Sequence, residues 1–420
     1  MTWLDLPDDH LFGIDNLPYG VFSTEAGSTR VGVRIGEQVL DLPAAAVAAG
    51  MESGAVWQAG SLNPFLAHGA EAWRSAREWI TEILTNDCYR DVVEPHLLDL
   101  AEVTMHLPIA VGDYVDFYAS EHHATNVGRI FRPDSEPLTP NWKHLPIGYH
   151  GRSGTVVVSG TDIVRPSGQR KPPTADAPTF GPSGRLDIEA ELGFIVGGTT
   201  DLGEPVPIAD THDHLFGVVI LNDWSARDLQ AWEYVPLGPF LGKSFATSIS
   251  PWVVTMDALR AARIPLPGQD PQPLDYLRGD DPSDVYGLDI AYEVEWNGTV
   301  VSHPSYRDMY WSPTQMLTHM TVNGATVRSG DLFGSGTISG PEKGSRGCFL
   351  ELTWSGQEPV TLDDGSERTF LEDGDTVVLR ATAVGPDGSR IGLGECAGTI
   401  APARHRGRHD TTTTTVHSIH

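Results

Sequence analysis

The stretch at residues 186–194 restricts the possible folds of this chain more than any other, because it alternates apolar and acidic residues with a period of two. Successive side chains of a β-strand point to opposite faces, so Asp187, Glu189 and Glu191 are expected to share one face. Three ionised carboxylates on one face of a core strand repel each other, and a hard divalent cation would remove that repulsion. The alternative is a solvated face of an antiparallel sheet, and this stretch alone leaves both interpretations open.

Length, charge and cysteine content restrict the class of protein. A chain of 420 residues can form one large domain or two ordinary ones. Its net charge of −28 argues against nucleic-acid binding, which needs clustered Lys and Arg. Cys88, Cys348 and Cys396 are too few and too widely spaced for a disulfide framework. The first residues do not resemble a signal peptide, and the apolar run at 215–221 is too short to span a bilayer. We therefore expect a soluble cytoplasmic protein without a membrane partner.

The first 107 residues are predicted to form a small separate unit with a structural or regulatory role. Residues 30–35 and 38–42 alternate on either side of Gly36-Glu37, which predicts a β-hairpin. Asn63 is expected to cap a helix that begins at Pro64, and apolar residues recur at steps of three and four as far as Leu84. No reactive side chains are concentrated in this unit.

Residues 108–403 have a different character, with frequent Gly and Pro between short apolar runs, which indicates a mainly β domain with few helices. Two helices have clear starts. Ser225 is expected to cap one that runs through Arg227, Gln230 and Trp232, and Ser312 and Gln315 form a capping box around Pro313 at the start of the other. Residues 404–420, with five consecutive threonines, are predicted to be disordered.

Several polar stretches in the second part could carry chemistry. Residues 116–126 combine Asp116, Tyr118, His122 and His123, and histidine is the usual general base near neutral pH. Residues 222–230 place Asp223 where an apolar strand ends and a helix begins, a position that commonly faces a site. Each stretch alone is more typical of a polar loop or a turn.

Taken together, the motifs at 116–128, 222–247 and 334–342 resemble the fumarylacetoacetate hydrolase family over nearly the whole chain. The amino-terminal unit is a feature of the longer members. The resemblance implies a small SH3-like β domain followed by a larger mixed β-sandwich roll, and a homodimer formed through the larger domain.

The resemblance also implies a Mg2+ and/or Ca2+ ion held by four carboxylates, which fall on Asp116, Glu189, Glu191 and Asp223. An all-oxygen ligand set agrees with the hard cation inferred from the acidic stretch. Lys243 and Thr247 match positions near a further cation contact, although Ala246 stands where some members have Gly. Asp187 is left outside the ligand set, as a structural group or one that supports the ligands.

The activity that the resemblance implies is hydrolysis of the carbon–carbon bond of fumarylacetoacetate, a dianionic β-diketo acid, to fumarate and acetoacetate, the last step of tyrosine and phenylalanine catabolism. His123 matches the base that activates water, and Glu351 would orient it. The oxyanion would be stabilised by Arg227, Gln230 and Lys243. The substrate-binding positions fall on Tyr118, Arg132, Tyr149, Arg227, Gln230, Tyr234 and Thr337.

Two alternatives remain at this level. An acylpyruvate hydrolase or a β-keto acid decarboxylase would reuse the carboxylates but would not need Arg132, Tyr149 and Arg227 together. A non-catalytic metal-binding scaffold would not need a paired base. The adjacent His122 and His123 cannot both be the base, and the match to the family motif favours His123.

Overall fold

The computed structural model describes residues 2–7, 9–25, 27–51 and 54–404, so the tail predicted at 404–420 lies outside the described residues except for Arg404. The first part of the chain contains β1 (Tyr19–Ser23), β2 (Arg30–Ile35), β3 (Gln38–Asp41), α1 (Leu42–Ala48), α2 (Asn63–Leu66), α3 (Gly69–Thr85), α4 (Arg90–Val93), β4 (Leu97–Asp99) and β5 (Thr104–His106). Among the described residues these strands form a five-stranded antiparallel sheet in the order β4-β3-β2-β1-β5. The predicted hairpin is confirmed, with Ile35 opposite Gln38.

The second part is longer and consists mostly of strands. It contains β6 (Tyr114–Phe117), α5 (Glu121–Phe131), β7 (Gly148–His150), β8 (Val156–Val158), β9 (Ile163–Val164), β10 (Ser167–Arg170), β11 (Thr179–Pro182), β12 (Leu186–Asp187), β13 (Ala190–Val196), β14 (Leu215–Asp223), β15 (Ser225–Ala226), α6 (Arg227–Glu233), β16 (Thr247–Ile249), β17 (Val254–Thr255), β18 (Arg263–Ile264), β19 (Gly287–Leu288), β20 (Ile290–Trp296), β21 (Thr299–Ser302), α7 (Pro313–Thr321), β22 (Leu332–Gly334), α8 (Phe349–Leu352), β23 (Val360–Thr361), β24 (Glu367–Arg368), β25 (Thr376–Val384) and β26 (Arg390–Ala401). The predicted fold class, mainly β with few helices and a larger carboxy-terminal part, is confirmed.

One sheet organises the second part and positions the site. In the described part of the chain it has eight strands, and its middle runs in the order β6-β22-β13-β14. β6 lies parallel to β22, whereas β13 is antiparallel to both β22 and β14. Both β13 and β14 are buried along their whole length. This strand order brings Asp116, Glu191 and Asp223 to neighbouring positions, although they are far apart in the sequence.

This sheet has a hydrophobic core on each of its faces. Leu192 and Phe194 belong to the core of the second part, whereas Ile195 belongs to a core that the first part of the chain completes. Because side chains alternate along a strand, Glu191 shares its face with Ile195. The amino-terminal unit therefore packs against the same face of the sheet that carries a candidate metal ligand.

The strand expected at residues 186–194 is interrupted. β12 pairs with β15, whereas β13 pairs with β14, and the chain changes partner at Ile188 and Glu189. All nine residues are buried, so the interpretation as a solvated face is wrong. The carboxylates of this stretch consequently need partners inside the protein.

The helix expected from Pro64 to Leu84 is divided into α2 and α3. Gly69, at the start of α3, has a φ of 80°, a left-handed conformation that interrupts a helix. Asn63 does not cap α2; its Nδ2 donates to the carbonyl oxygens of Ala110 and Ser329, each at 2.9 Å. Ser225 does not cap α6 either, because the N-cap position is Ala226 and Ser225 Oγ donates to the carbonyl oxygen of Asp223 at 2.9 Å. The capping box at Ser312, by contrast, is confirmed at the start of α7.

Candidate active site and metal centre

The four carboxylates predicted as metal ligands lie together in the structure. Asp116 is on β6, Glu191 on β13, Asp223 at the end of β14, and Glu189 directly before β13. All four side chains are buried, and one oxygen atom of each lies within 4.8 Å of one from every other. The strand order brings Asp116, Glu191 and Asp223 together, and the turn of the chain before β13 adds Glu189.

Lys243 neutralises one side of the cluster. Its Nζ lies 2.5 Å from Glu189 Oε2 and 2.7 Å from Asp223 Oδ2, and donates to Ser225 Oγ at 2.8 Å. Burial alone lowers the pKa of Lys243, but the charges of Asp223 and Glu189 outweigh burial and raise it. The residue is therefore an ammonium with all three N–H groups engaged. An ammonium has no lone pair, so any contact of Lys243 with a cation would use its backbone.

The other side of the cluster lacks positive charge. Within the described part of the chain, Asp116 Oδ1 and Glu191 Oε1 are buried and have no hydrogen-bond partner. Burial raises the pKa of both carboxyls well above the ordinary range, and the charges of neighbouring carboxylates raise it further. Burial of unpaired carboxylates is costly, and oxygen-rich carboxylate clusters are what Mg2+ and Ca2+ prefer. The residues present therefore fit a hard divalent cation.

Three neighbouring residues complete the surroundings of the cluster. Tyr149 donates its hydroxyl to Asp116 Oδ2 at 2.8 Å, and Thr247 Oγ1 donates to Asp223 Oδ1 at 3.2 Å. A Cβ atom at Gly334 would lie 2.7 Å from Glu191 Oε2 and 3.0 Å from Asp116 Oδ1. Glycine at this position leaves the space between the two carboxylates open.

His123 and Glu351 form a buried pair next to the carboxylate cluster. His123 lies in the first turn of α5, and its Nδ1 is 2.6 Å from Glu351 Oε2. Glu351 also accepts from Asn126 at 2.9 Å, Ser339 at 2.8 Å and Cys348 at 3.1 Å. Burial alone raises the pKa of Glu351, but the histidine and these donors outweigh burial and lower it to about 2. Glu351 therefore stays ionised.

The Nδ1 contact fixes how His123 can act. With Nδ1 donating to the carboxylate, the lone pair of the imidazole is on Nε2, which lies 3.9 Å from Glu189 Oε1. His123 lines the cavity beside the carboxylates, whereas the neighbouring His122 does not. The geometry thus distinguishes the two histidines that the sequence left adjacent.

A cavity of about 370 Å³ opens onto both groups. Every residue predicted to bind substrate lines it: Tyr118, Arg132, Tyr149, Arg227, Gln230, Tyr234 and Thr337. In the described structure, Arg227 Nη2 and Thr337 Oγ1 are buried without a hydrogen-bond partner. A cavity of this size with a few convergent, unpaired polar atoms is typical of a small-molecule site.

Some predicted residues already have protein partners. Arg227 binds Asp187 through Nε at 2.7 Å and Glu189 through Nη1 at 2.8 Å, and it donates to Gln230 Oε1 at 3.1 Å. Arg132 donates to the carbonyl oxygen of Pro137 at 3.0 Å. These contacts fix the guanidinium of Arg227 and leave one nitrogen free toward the cavity.

The sequence reasoning missed several residues of the site. Asn126, Ser339 and Cys348 donate hydrogen bonds to Glu351. Each lies in or near one of the polar stretches that the sequence singled out. The apolar wall of the cavity includes Val127 and Phe131 on α5. The spacing from His123 carried a signal for these two, because residues four and eight positions along a helix share its face.

Comparison with known proteins identifies the family of this chain. Residues 114–401 match the family model described as fumarylacetoacetate (FAA) hydrolase C-terminal, and residues 15–108 match fumarylacetoacetase N-terminal. The chain therefore belongs to the fumarylacetoacetate hydrolase family.

Fumarylacetoacetases from several organisms are among the relatives that match this chain over nearly its full length. The human protein is 48% identical over 96% of this chain and 99% of its own length. The protein from Caenorhabditis elegans is 49% identical with the same coverage. A solved fumarylacetoacetate hydrolase from Exiguobacterium antarcticum is 19% identical, with a TM-score of 0.52 over 92% of this chain and all of its own, and shows the shared fold.

Proposed function

We propose that this protein hydrolyses fumarylacetoacetate to fumarate and acetoacetate, the last step of tyrosine and phenylalanine catabolism. The observation that carries the proposal is that His123, which is paired with Glu351, lines a cavity that Asp116 and Glu189 of the carboxylate cluster also line. A histidine base that is held by a carboxylate, beside a site for a hard cation, is suited to the addition of water to a carbonyl group. The similarity to full-length fumarylacetoacetases supports this particular substrate.

The base acts on water. His123 Nε2 takes a proton from the water molecule as its oxygen bonds to the carbonyl carbon on the fumaryl side of the substrate. Glu351 holds the imidazole through Nδ1 and stabilises its protonated form. The bond between this carbon and the adjacent methylene then breaks. Its electron pair leaves with the acetoacetyl fragment as an enolate, and protonation of that enolate gives acetoacetate.

The cationic side chains respond to the charge that develops on the attacked carbonyl oxygen. Arg227 offers the unpaired N–H at Nη2, and Gln230 lies beside it in the cavity wall. Lys243 contributes through its charge, since its N–H groups are occupied by protein atoms. Arg132 and the tyrosines at 118 and 234 would bind the rest of the dianionic substrate, with Arg132 pairing a terminal carboxylate.

A Mg2+ or Ca2+ ion would be held by Asp116, Glu189, Glu191 and Asp223, with Thr247 beside Asp223. When bound, such a cation supplies Lewis acidity toward the substrate carbonyl oxygen. The unpaired oxygens of Asp116 and Glu191 support this placement.

We infer a cytoplasmic homodimer whose two parts, 1–107 and 108–403, are an SH3-like domain and a catalytic domain, as the family resemblance implies. The free thiols of Cys88, Cys348 and Cys396 support a reducing compartment. Among the described residues, no helix combines the length and apolar character needed to cross a membrane. Sedimentation of the purified protein tests the dimer.

The reaction is tested by following the ultraviolet absorbance of fumarylacetoacetate with protein that is first stripped of metal and then resupplied with Mg2+. We expect cleavage that disappears on stripping and returns with Mg2+. Glu189→Gln should be inactive under all conditions. The control is Glu358→Gln, because Glu358 is an exposed glutamate that also binds a lysine, Lys343, at 2.5 Å.

The possible results distinguish a wrong substrate from a wrong role for the carboxylate cluster. Folded wild-type protein that binds Mg2+ but does not cleave fumarylacetoacetate would refute the substrate, and acylpyruvates would be tested next. Cleavage that survives complete metal removal would refute the role of the carboxylate cluster.

A further inference from the structure

Asp187 is a fully buried carboxylate outside the ligand set, and it accepts four hydrogen bonds. Its Oδ1 accepts from the backbone N–H groups of Ile188 at 2.8 Å and Phe349 at 2.7 Å. Its Oδ2 accepts from the N–H of Leu350 at 3.0 Å and from Arg227 Nε at 2.7 Å. All four partners are donors, and the two oxygens of the carboxylate accept two bonds each.

Two of these bonds fix the helix that carries Glu351. α8 comprises only four residues, Phe349–Leu352, and the preceding Cys348 makes no side-chain capping bond to it. Asp187, on β12, supplies the missing cap, because it binds the first two N–H groups of α8. The position of the Glu351 carboxylate, and through it the orientation of the His123 imidazole, therefore depends on Asp187.

The bond to Arg227 fixes the second catalytic element. With Nε held by Asp187 and Nη1 held by Glu189, the plane of the guanidinium is set and Nη2 is left without a partner. A planar guanidinium held at two nitrogens keeps its third nitrogen in a defined direction. The same carboxylate thus contacts both the helix of the base pair and the oxyanion donor.

We propose that Asp187 is a positioning residue that sets the His123–Glu351 pair and the guanidinium of Arg227 at a fixed distance from each other. This inference rests on the proposed hydrolysis for its kinetic consequence. Water is activated on one side of the attacked carbon and the oxyanion is stabilised on the other, so an error in their separation raises the barrier of the chemical step.

The test is Asp187→Asn, which keeps the size of the side chain but replaces one oxygen by an NH2 group. That group must face either the Ile188 and Phe349 donors or the Leu350 and Arg227 donors. We expect kcat to fall about a hundredfold while KM changes by less than about threefold. In an Arg227→Lys background the same substitution should lower kcat by a clearly smaller factor, because both changes disturb one group.

Asp375 provides a matched control. It is also buried and also accepts only N–H donors, from Trp296 Nε1 at 3.1 Å, Asn297 Nδ2 at 2.8 Å and the backbone of Glu372 at 2.8 Å. It does not line the catalytic cavity. Asp375→Asn should lower the melting temperature by a similar amount but leave kcat within about twofold of wild type.

A second readout does not need the substrate. The short Nδ1–H bond of His123 to Glu351 should give a far-downfield proton resonance, assigned by its loss in His123→Ala. We expect Asp187→Asn to shift or broaden this resonance and Asp375→Asn to leave it unchanged. If wild type does not cleave fumarylacetoacetate, the proposed function fails, but the resonance still tests Asp187. An unchanged resonance, or in active protein equal kcat losses in both backgrounds, would overturn the inference.

Discussion

Two groups of buried acidic side chains lie beside the same cavity, and the protein compensates them differently. Glu351 accepts bonds from His123, Asn126, Ser339 and Cys348, and its pKa is lowered to about 2. Asp116 and Glu191 each retain an oxygen without a partner in the described structure, and burial raises their pKa values. Protein groups pair the carboxylate of Glu351, whereas the described residues provide no partner for one oxygen of Asp116 and one of Glu191.

The difference shows what burial of a carboxylate means in each case. A fully paired buried carboxylate stabilises the fold and orients its partner, as Glu351 does for His123. A buried carboxylate without a counter-charge costs stability, and such a deficit beside a cavity indicates a binding site rather than a structural network.

The largest effect is expected at Asp116, a buried carboxylate that has an unpaired oxygen. Asp116→Asn should abolish Mg2+ binding and lower kcat by roughly three orders of magnitude, since a Lewis acid contributes several kcal/mol to such a reaction. Calorimetric Mg2+ titration and steady-state kinetics measure the two effects. Asp373→Asn, at an exposed aspartate that binds Arg165, should change neither. Normal Mg2+ affinity in Asp116→Asn would contradict the proposed ligand set.

Substitution of His123, the partner of Glu351, should separate catalysis from cation binding. His123→Ala is expected to lower kcat by about a thousandfold, the contribution of a general base, while Mg2+ affinity remains within about twofold of wild type. His122→Ala is the control, because His122 does not line the cavity. Equal losses in the two variants would show that the base has been assigned to the wrong residue.

Replacement by glutamine should change the free energy of unfolding in opposite directions at Glu351 and at Glu191. Glu351→Gln removes a carboxylate whose pKa is lowered from 4.5 to about 2, so it should cost roughly 3 kcal/mol of unfolding free energy at neutral pH. Glu191→Gln, by contrast, should stabilise the metal-free protein, because it removes a repelled charge. Urea unfolding in the presence of EDTA measures both. A destabilised Glu191→Gln protein would mean that the cluster is already compensated.

The smallest expected effect is the pH dependence of stabilisation by Mg2+. The raised pKa values of Asp116 and Glu191 mean that the folded, metal-free protein retains protons that the unfolded chain loses, so its stability falls as pH rises above the ordinary values of 3.8 and 4.5. Mg2+ needs the ionised carboxylates, so the stabilisation it adds should grow by about 1 kcal/mol between about pH 5 and about pH 8.

Thermal melts with Mg2+ and with EDTA across this pH range measure the difference. The contribution of Glu351 has the opposite sign: it is present above pH 4.5 and is lost as pH falls toward about 2. A gain from Mg2+ that is constant with pH would show that the cluster is ionised without the cation.

The sequence by itself determined the residue types and the order of the motifs. The acidic stretch at 186–194 left a site for a hard cation and a solvated face as open alternatives, and the β-rich pattern after residue 107 predicted a mainly β domain. It could not predict that this strand is interrupted, because the change of strand partner at Ile188 depends on β14 and β15. For the same reason the helix expected from Pro64 was divided, since Gly69 was free to adopt a left-handed conformation.

Only the tertiary structure decided which charges meet. His123 and Glu351 are 228 positions apart, and Lys243 reaches Glu189 across 54 positions. Asp187 was expected from the sequence to be a structural group or to support the metal ligands, but its partners could not be predicted because its four donors come from three separate segments. Local sequence specifies which side chains a strand presents on each face. Which buried charge is neutralised and which is left for a ligand depends on long-range pairing, because electrostatic compensation acts through space and not along the chain.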